Sequence, residues 1–134
     1  FRSGYKGGKM KYLVKIIEPD IELDNILTIR ACDEVLDVFA SYVPEDINYK
    51  NEYLVELEAT VLDEYILEQS DEISMLRKID NSLGYEIIGV LRNGKIYVNK
   101  IIFEDEILKS DFGYLDNKIV KWTVDRISLY FEDL

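Results

Sequence analysis

Carboxylate side chains are the reactive groups that this sequence offers in quantity, and they gather around one stretch. The chain has 134 residues, with 27 Asp and Glu against 16 Lys and Arg and no histidine. Between Tyr53 and Val61, apolar residues at every second position alternate with Glu56, Glu58 and Thr60. Alternation with a period of two is typical of a strand that buries one face and leaves the other in water. We therefore expect an acidic strand face that binds cationic groups.

Acids and tyrosines on either side of this strand extend the same candidate site. Aromatic side chains often carry much of the binding energy at protein interfaces, and complementary charge speeds and orients the encounter. The alternative is that these acids only face water and keep the protein soluble. The candidate partner-binding residues are Glu52, Tyr53, Glu56, Glu58, Asp63, Glu64 and Tyr65.

Most familiar catalytic machinery is excluded by residue type. Without histidine, the chain has no Ser-His-Asp or Cys-His nucleophile system and no histidine-ligated metal site. Neither Gly-x-Gly-x-x-Gly nor Gly-x-x-x-x-Gly-Lys-Ser/Thr occurs, so the common nucleotide-binding loops are missing. Acid–base catalysis by two carboxylates in one cleft is the alternative that residue type still allows, but the sequence does not indicate which two carboxylates would form such a pair. We expect a protein that is not an enzyme and that binds no cofactor or metal.

One acidic segment has part of the spacing of a calcium loop. Asp20, Glu22 and Asp24 occupy its first, third and fifth positions. The sixth position is Asn25 where such loops have glycine, and the twelfth is Ala31 where they have glutamate. We interpret the segment as an exposed acidic edge.

The single cysteine, Cys32, excludes an intramolecular disulfide and a Cys-rich zinc site. It lies where a strand is expected to give way to a helix. A thiol at a helix N-terminus can have a lowered pKa, but a small buried side chain is the simpler interpretation. One reduced cysteine suits the cytoplasm, where we expect this protein to act.

The net charge of −11 bears on which partners are suitable. An acidic surface repels phosphate backbones and anionic lipids, so nucleic acids and membranes are not expected partners. No apolar run approaches the roughly 20 residues that span a bilayer. The converse expectation is a basic partner protein.

The N-terminal residues 1–9 contain three glycines and no apolar periodicity. We predict a flexible arm or a cloning remnant there, ahead of Met10, and a single globular domain over residues 10–134. Without the arm's Arg2, Lys6 and Lys9 the net charge becomes −14.

The clearest structural signal is a hairpin between Tyr85 and Phe103. Asn93-Gly94 joins two apolar runs, and this pair favours a two-residue type I′ turn. We expect Gly89 to mark a bulge or a close approach by another element. The predicted cross-strand pairs are Arg92 with Lys95, Leu91 with Ile96, Gly89 with Val98, Ile87 with Lys100 and Tyr85 with Ile102.

The remaining elements follow from apolar periodicity. Strands are predicted over residues 11–17, 26–30 and 53–61, and helices over 33–42 and 70–83. A last strand over residues 118–131 changes its apolar phase, which predicts a bulge or bend near Asp125-Arg126. Trp122 is expected in the core.

Together these elements predict an α+β fold: a single domain with a mainly antiparallel, twisted or barrel-like sheet of about five to six strands and two helices. The order is broadly similar to that of an oligonucleotide-binding-type barrel, although no motif links the two. The functional hypothesis is a non-catalytic acidic protein that docks on a basic partner and inhibits it, as immunity proteins do. The alternatives are a structural or accessory module that assembles through its sheet, and a carboxylate-dependent enzyme. A monomer or weak dimer is expected.

Overall fold

The computed structural model describes residues 10–19 and 25–132. The predicted N-terminal arm and the acidic residues of the partial calcium spacing, Asp20, Glu22 and Asp24, lie outside this range. The strands are β1 (Lys11–Pro19), β2 (Ile26–Ala31), β3 (Glu34–Phe39), β4 (Glu52–Thr60), β5 (Ile66–Gln69), β6 (Met75–Lys78), β7 (Tyr85–Arg92), β8 (Lys95–Val98), β9 (Ile101–Glu104), β10 (Ile119–Val124) and β11 (Arg126–Phe131). A short helix α1 (Glu106–Ser110) and a 3-10 helix (Gly113–Leu115) precede β10.

Five strands close into a barrel in the order β1-β2-β3-β11-β4. All its pairs are antiparallel except β11 with β3, which run parallel and form a single backbone pair, Ser128 with Phe39. The prediction of a mainly antiparallel, barrel-like sheet is confirmed, but the predicted single sheet of about five to six strands is wrong, because the described strands form this barrel and a second sheet.

A second sheet is formed by the chain between β4 and β11. Its order is β5-β10-β7-β8-β9, and β6 also pairs with β7. Buried side chains from the barrel and from this sheet belong to one hydrophobic cluster, which includes Trp122, fully buried as expected. The described chain is therefore a single sheet-rich domain.

The helix predicted over residues 33–42 is wrong, because this segment is β3. A two-residue turn at Cys32-Asp33, with φ of 49° and 70°, joins β2 to β3 as a hairpin. Leu36 and Val38 are buried, whereas Val35 is exposed. The apolar positions fit a period of two as well as a helical one, and pairing with β2 satisfies the backbone of β3.

The helix predicted over residues 70–83 is also wrong. Ser70 Oγ does accept a hydrogen bond from the backbone N–H of Glu72 (3.1 Å), as a helix cap would. The chain then extends as β6, which pairs with the first half of β7. The described helices lie elsewhere, between β9 and β10, where Asp105 caps α1 by accepting a hydrogen bond from the N–H of Ile107 (2.8 Å).

The hairpin turn at Asn93-Gly94 is confirmed, with φ of 52° and 80°. The pairs Leu91 with Ile96 and Arg92 with Lys95 form as predicted, and pairing ends at Val90 with Tyr97. The other three predicted pairs are wrong, because pairing of β7 with β8 stops at Val90 and the chain turns again after Val98. They are Gly89 with Val98, Ile87 with Lys100 and Tyr85 with Ile102. β9 then pairs with β8, and the first half of β7 pairs with β6 and β10.

The predicted break in the last strand is confirmed at Asp125. Val120, Trp122 and Val124 are buried in the second sheet, and after the break Ile127 and Leu129 are buried in the barrel. The change of apolar phase therefore marks the residue at which the chain passes from one sheet to the other.

Polar contacts also join the two sheets. The Asp37 carboxylate of β3 accepts hydrogen bonds from Thr28 Oγ1 (2.7 Å) and from Lys78 Nζ of β6. The backbone N–H of Asp37 donates to the Tyr85 hydroxyl (2.9 Å), close to the place where β3 and β11 pair only once. On the other side, the Tyr12 hydroxyl accepts from the N–H of Ile102 (2.9 Å) in β9.

Replacing Gly89 by alanine is expected to destabilise the protein. An added Cβ would overlap the Tyr97 carbonyl oxygen and lie 2.9 Å from its carbon, and backbone atoms cannot rotate away. Overpacking of this kind costs about 1–3 kcal/mol. The control is Gly113→Ala, since nothing lies within 4 Å of a Cβ there. Urea unfolding measures both, and an unchanged free energy of unfolding in Gly89→Ala would contradict the close approach.

Replacing Asp37 by asparagine is expected to change how stability depends on pH. Burial raises the pKa of Asp37, but hydrogen bonds from Lys78 and Thr28 and the charge of Lys78 outweigh it, so this pKa lies below its ordinary value. A carboxyl of this kind stabilises the folded state above its unfolded pKa, and that contribution is lost as the pH falls through the folded pKa.

Asp37→Asn should therefore lower the free energy of unfolding at neutral pH by about 1 kcal/mol, because both charged partners are partly in water. The free energy of unfolding of the variant should also fall less steeply than that of the wild type as the pH drops below about 5. Denaturant unfolding across this range makes the comparison. Asp71→Asn, at an exposed carboxyl, serves as the control. If both variants followed the same curve, the contact between Asp37 and Lys78 would contribute nothing to stability.

Candidate functional site

The outer side of the barrel at β1, β4 and β11 carries the acidic strand face that the sequence predicts. Residues directly opposite each other on paired strands share a face, and the register places Leu13 opposite Leu54 and Tyr130 opposite Glu56. We call this surface the β4 face and define it by the following residues: Leu13, Glu52, Leu54, Glu56, Glu58 and Tyr130.

Three large apolar or aromatic side chains of the β4 face are in contact with water. Leu13 is 60% exposed, Leu54 40% and Tyr130 44%. Leu13 and Leu54 are neighbours across the β1–β4 pair, so their exposed surfaces adjoin. Adjoining apolar side chains at a surface with a polar rim are a common feature of binding sites.

The carboxylates around these side chains are only partly engaged. Glu58 accepts a hydrogen bond from the Tyr130 hydroxyl (3.0 Å), and Lys11 pairs with Glu132 (2.9 Å) at the edge. Glu52 and Glu56 make no hydrogen bond or ion pair through their side chains within the described chain. Across the β1–β4 pair Glu52 lies opposite Lys15 and Glu56 lies opposite Lys11, so these lysines offset part of the acidic charge. Both carboxylates still have free acceptor positions for a molecule that docks here.

Tyr65, predicted as an anchor, uses its hydroxyl inside the protein. Its ring stacks on that of Trp122, with centroids 6.0 Å apart, and its hydroxyl donates to Asp105 (2.8 Å). Burial, this hydrogen bond and the charges of Asp105 and Glu58 raise the pKa of Tyr65 to about 12. The charge of Glu58 thus acts on Tyr65, but the Tyr65 hydroxyl is already hydrogen-bonded to Asp105.

The other predicted site residues lie at the two ends of β4. The Tyr53 hydroxyl accepts from the backbone N–H of Asn48 (2.8 Å), and its ring meets Phe131 edge-on. Tyr53 thereby holds the segment before β4 in position. Asp63 and Glu64 are exposed in the segment after β4. The structure brings Glu52, Glu56 and Glu58 onto one face and leaves these residues beside it.

Sequence reasoning missed the apolar part of the face. Leu13, Leu54 and Tyr130 come from strands that are far apart in the chain, and only the register of β1, β4 and β11 brings them together. Cys32 also differs from expectation, because it is half-buried in a strand-to-strand turn and not at the start of a helix.

Charged side chains on the second sheet are largely paired with one another. Arg77 binds both Glu72 (2.8 Å) and Glu86 (2.6 Å), and Lys121 lies 3.4 Å from Glu72 and 3.6 Å from Glu68. A hydrogen bond from Arg77 is the main reason that the pKa of Glu72 is lowered. The cluster contains three carboxylates and two cations, and all five are paired, whereas Glu52 and Glu56 of the β4 face make no ion pair within the described chain.

A small cavity of about 230 Å³ lies beside the β7–β8 turn, lined by Asn93, Gly94, Leu108, Lys109, Gly113 and Asp116. Within the described chain, no three or more Cys, Asp or Glu side chains gather in a way that would hold a metal ion. None of the helices in the described chain has the length and apolar character needed to cross a membrane.

Fold and surface together define a mainly antiparallel β protein built on a closed five-stranded barrel with a second sheet inserted between β4 and β11. Residues 10–132 match the model of the family described as Uncharacterised conserved protein UCP019853, and the chain belongs to this family. No curated protein matches the chain. No solved structure matches it either.

Replacing Tyr65 by phenylalanine is expected to remove a contribution to stability that is present at neutral pH and lost at alkaline pH. The pKa of Tyr65 is about 12 in the folded protein, against an ordinary value of 10.0. A group whose folded pKa is raised contributes fully below its unfolded pKa and loses that contribution as the pH rises through the folded pKa.

Tyr65→Phe should therefore unfold more easily than the wild type at pH 7, by about 1 kcal/mol. The difference should shrink between pH 10 and 12. Denaturant unfolding at several pH values tests both statements. Tyr42→Phe is the control, since this tyrosine is 68% exposed. A difference that stayed constant up to pH 12 would show that ionisation of Tyr65 is not linked to folding.

Proposed function

We propose that this protein is a non-catalytic binding protein that docks through the β4 face on a basic partner protein and inhibits it, in the manner of immunity proteins. The observation that carries the proposal is the composition of this face, where the adjoining side chains of Leu13 and Leu54 lie among the carboxylates of Glu52 and Glu56. The proposed setting is the cytoplasm, with the protein as a monomer or weak dimer.

The two parts of the face have different physical roles in such a complex. Exposed apolar side chains lose contact with water on docking, which slows dissociation. Carboxylates that lack an internal partner attract a basic surface from a distance and align it. The overall charge of −11 adds to the attraction. A basic enzyme whose own site binds phosphates would be a suitable target, because carboxylates can take the place of phosphate groups.

Neutralising the carboxylates of the face should slow association with the partner. The partner is first captured from the native cell and purified, and the triple variant Glu52→Gln, Glu56→Gln and Glu58→Gln is compared with the wild type. We expect an association rate at low salt that is roughly tenfold lower, and a weaker dependence on salt. The control variant carries the same charge change on the second-sheet side, at exposed acids: Asp71→Asn, Asp80→Asn and Asp111→Asn.

Comparison of the two triple variants shows whether association depends on the β4 face or only on the net charge of the protein. If both triple variants slowed association equally, only net charge would matter, and the β4 face would not be the binding site. Leu13→Ser with Leu54→Ser should speed dissociation, whereas Leu62→Ser with Ile73→Ser, at residues 67% and 85% exposed, should not. A stable oligomer in sedimentation, without inhibition of any captured partner, would favour the accessory module instead.

A further inference from the structure

Arg126 is the first residue of β11 and lies on the outer side of the barrel, opposite Thr60 of β4. Its guanidinium carbon lies 4.2 Å from the centre of the Phe39 ring, which belongs to β3. A guanidinium over an aromatic ring is held by a cation–π contact. The side chain of Arg126 therefore has a defined position at the one place where β3 and β11 meet.

The guanidinium of Arg126 has no acceptor within the described chain. Its Nε atom is buried and makes no hydrogen bond, and its terminal nitrogens are not buried and are also without a partner. A buried donor without an acceptor costs free energy. Arg77, by contrast, is bound by two glutamates. In a chain of net charge −11, a half-buried arginine without a carboxylate needs an explanation.

Polar groups next to Arg126 are already engaged with others. The Asp125 carboxylate accepts from the backbone N–H of Leu62 (2.7 Å). The hydroxyls of Thr60 and Ser128 pair with each other (2.9 Å). Neither contact involves Arg126, so its terminal nitrogens, which are not buried, are open to water or to a ligand.

We propose that Arg126, held over Phe39, is a binding site for an oxyanion group of a ligand, either a carboxylate or a phosphate. A guanidinium presents a planar pair of N–H donors that matches both groups with two parallel hydrogen bonds. Contact with Phe39 orders the side chain before the ligand arrives, so little rotamer freedom is lost on binding. This site is separate from the proposed docking function and does not depend on it.

The test follows the Nε–H signal of Arg126 by NMR in the ¹⁵N-labelled wild-type protein. The signal is assigned by its absence in Arg126→Lys, or through backbone connectivities if that variant does not fold. Sodium acetate and sodium phosphate are titrated separately, with sodium chloride at equal ionic strength as the reference. We expect the signal to shift and saturate with one or both oxyanions, while that of exposed Arg30 follows the chloride reference.

Saturation with acetate alone assigns a carboxylate site, and saturation with phosphate alone assigns a phosphate site. Phe39→Leu should weaken the binding roughly two- to fivefold, because the cation–π contact is lost. The proposal is overturned if the Arg126 signal shifts no more than that of Arg30 in both oxyanions. It is likewise overturned if both signals shift equally, since that would be general ion screening.

Discussion

The passage of the chain from one sheet to the other at Asp125 is the constraint on which the rest of this structure depends. The backbone N–H of Asp125 donates to the Thr60 carbonyl (2.9 Å), and its carboxylate accepts from the N–H of Leu62 (2.7 Å). One residue therefore ties together the point where the chain leaves the barrel and the point where it returns. With both ends held, the inserted sheet can share a single core with the barrel, and β11 can complete the barrel between β3 and β4.

Charge is distributed unevenly over this framework. On the second sheet, Arg77 and Lys121 form ion pairs with three neighbouring glutamates, and between the sheets Lys78 is bonded to Asp37. The β4 face differs, because Glu52 and Glu56 make no ion pair within the described chain and lie beside exposed leucines. A protein needs no such arrangement to fold, since surface ion pairs contribute little to stability. The proposed recognition of a basic partner would give the acids and leucines of the β4 face a role that folding does not require.

Elements with strong local signals could be predicted from sequence, and elements that depend on distant partners could not. The turn at Asn93-Gly94 and the alternation over residues 53–61 are properties of adjacent residues, and both formed as expected. The segments of β3 and β6 carry apolar residues whose spacing suits a helix or a strand. They became strands because β2 and β7 offered edges whose backbone groups needed partners. Likewise, the acids of the β4 face were predicted, but the exposed leucines beside them were not.

The amino-acid sequence by itself determined the acidic character, the main hairpin turn, the alternating strand of the candidate surface and the change of phase at Asp125. Each of these depends on residue type or on spacing within a few positions, so no knowledge of distant contacts is required. Only the tertiary structure decided that Leu13, Leu54 and Tyr130 meet on one face and that Arg126 lies over Phe39 without an acid partner. Those arrangements follow from the register between strands far apart in the chain, and register is set by how the whole barrel closes.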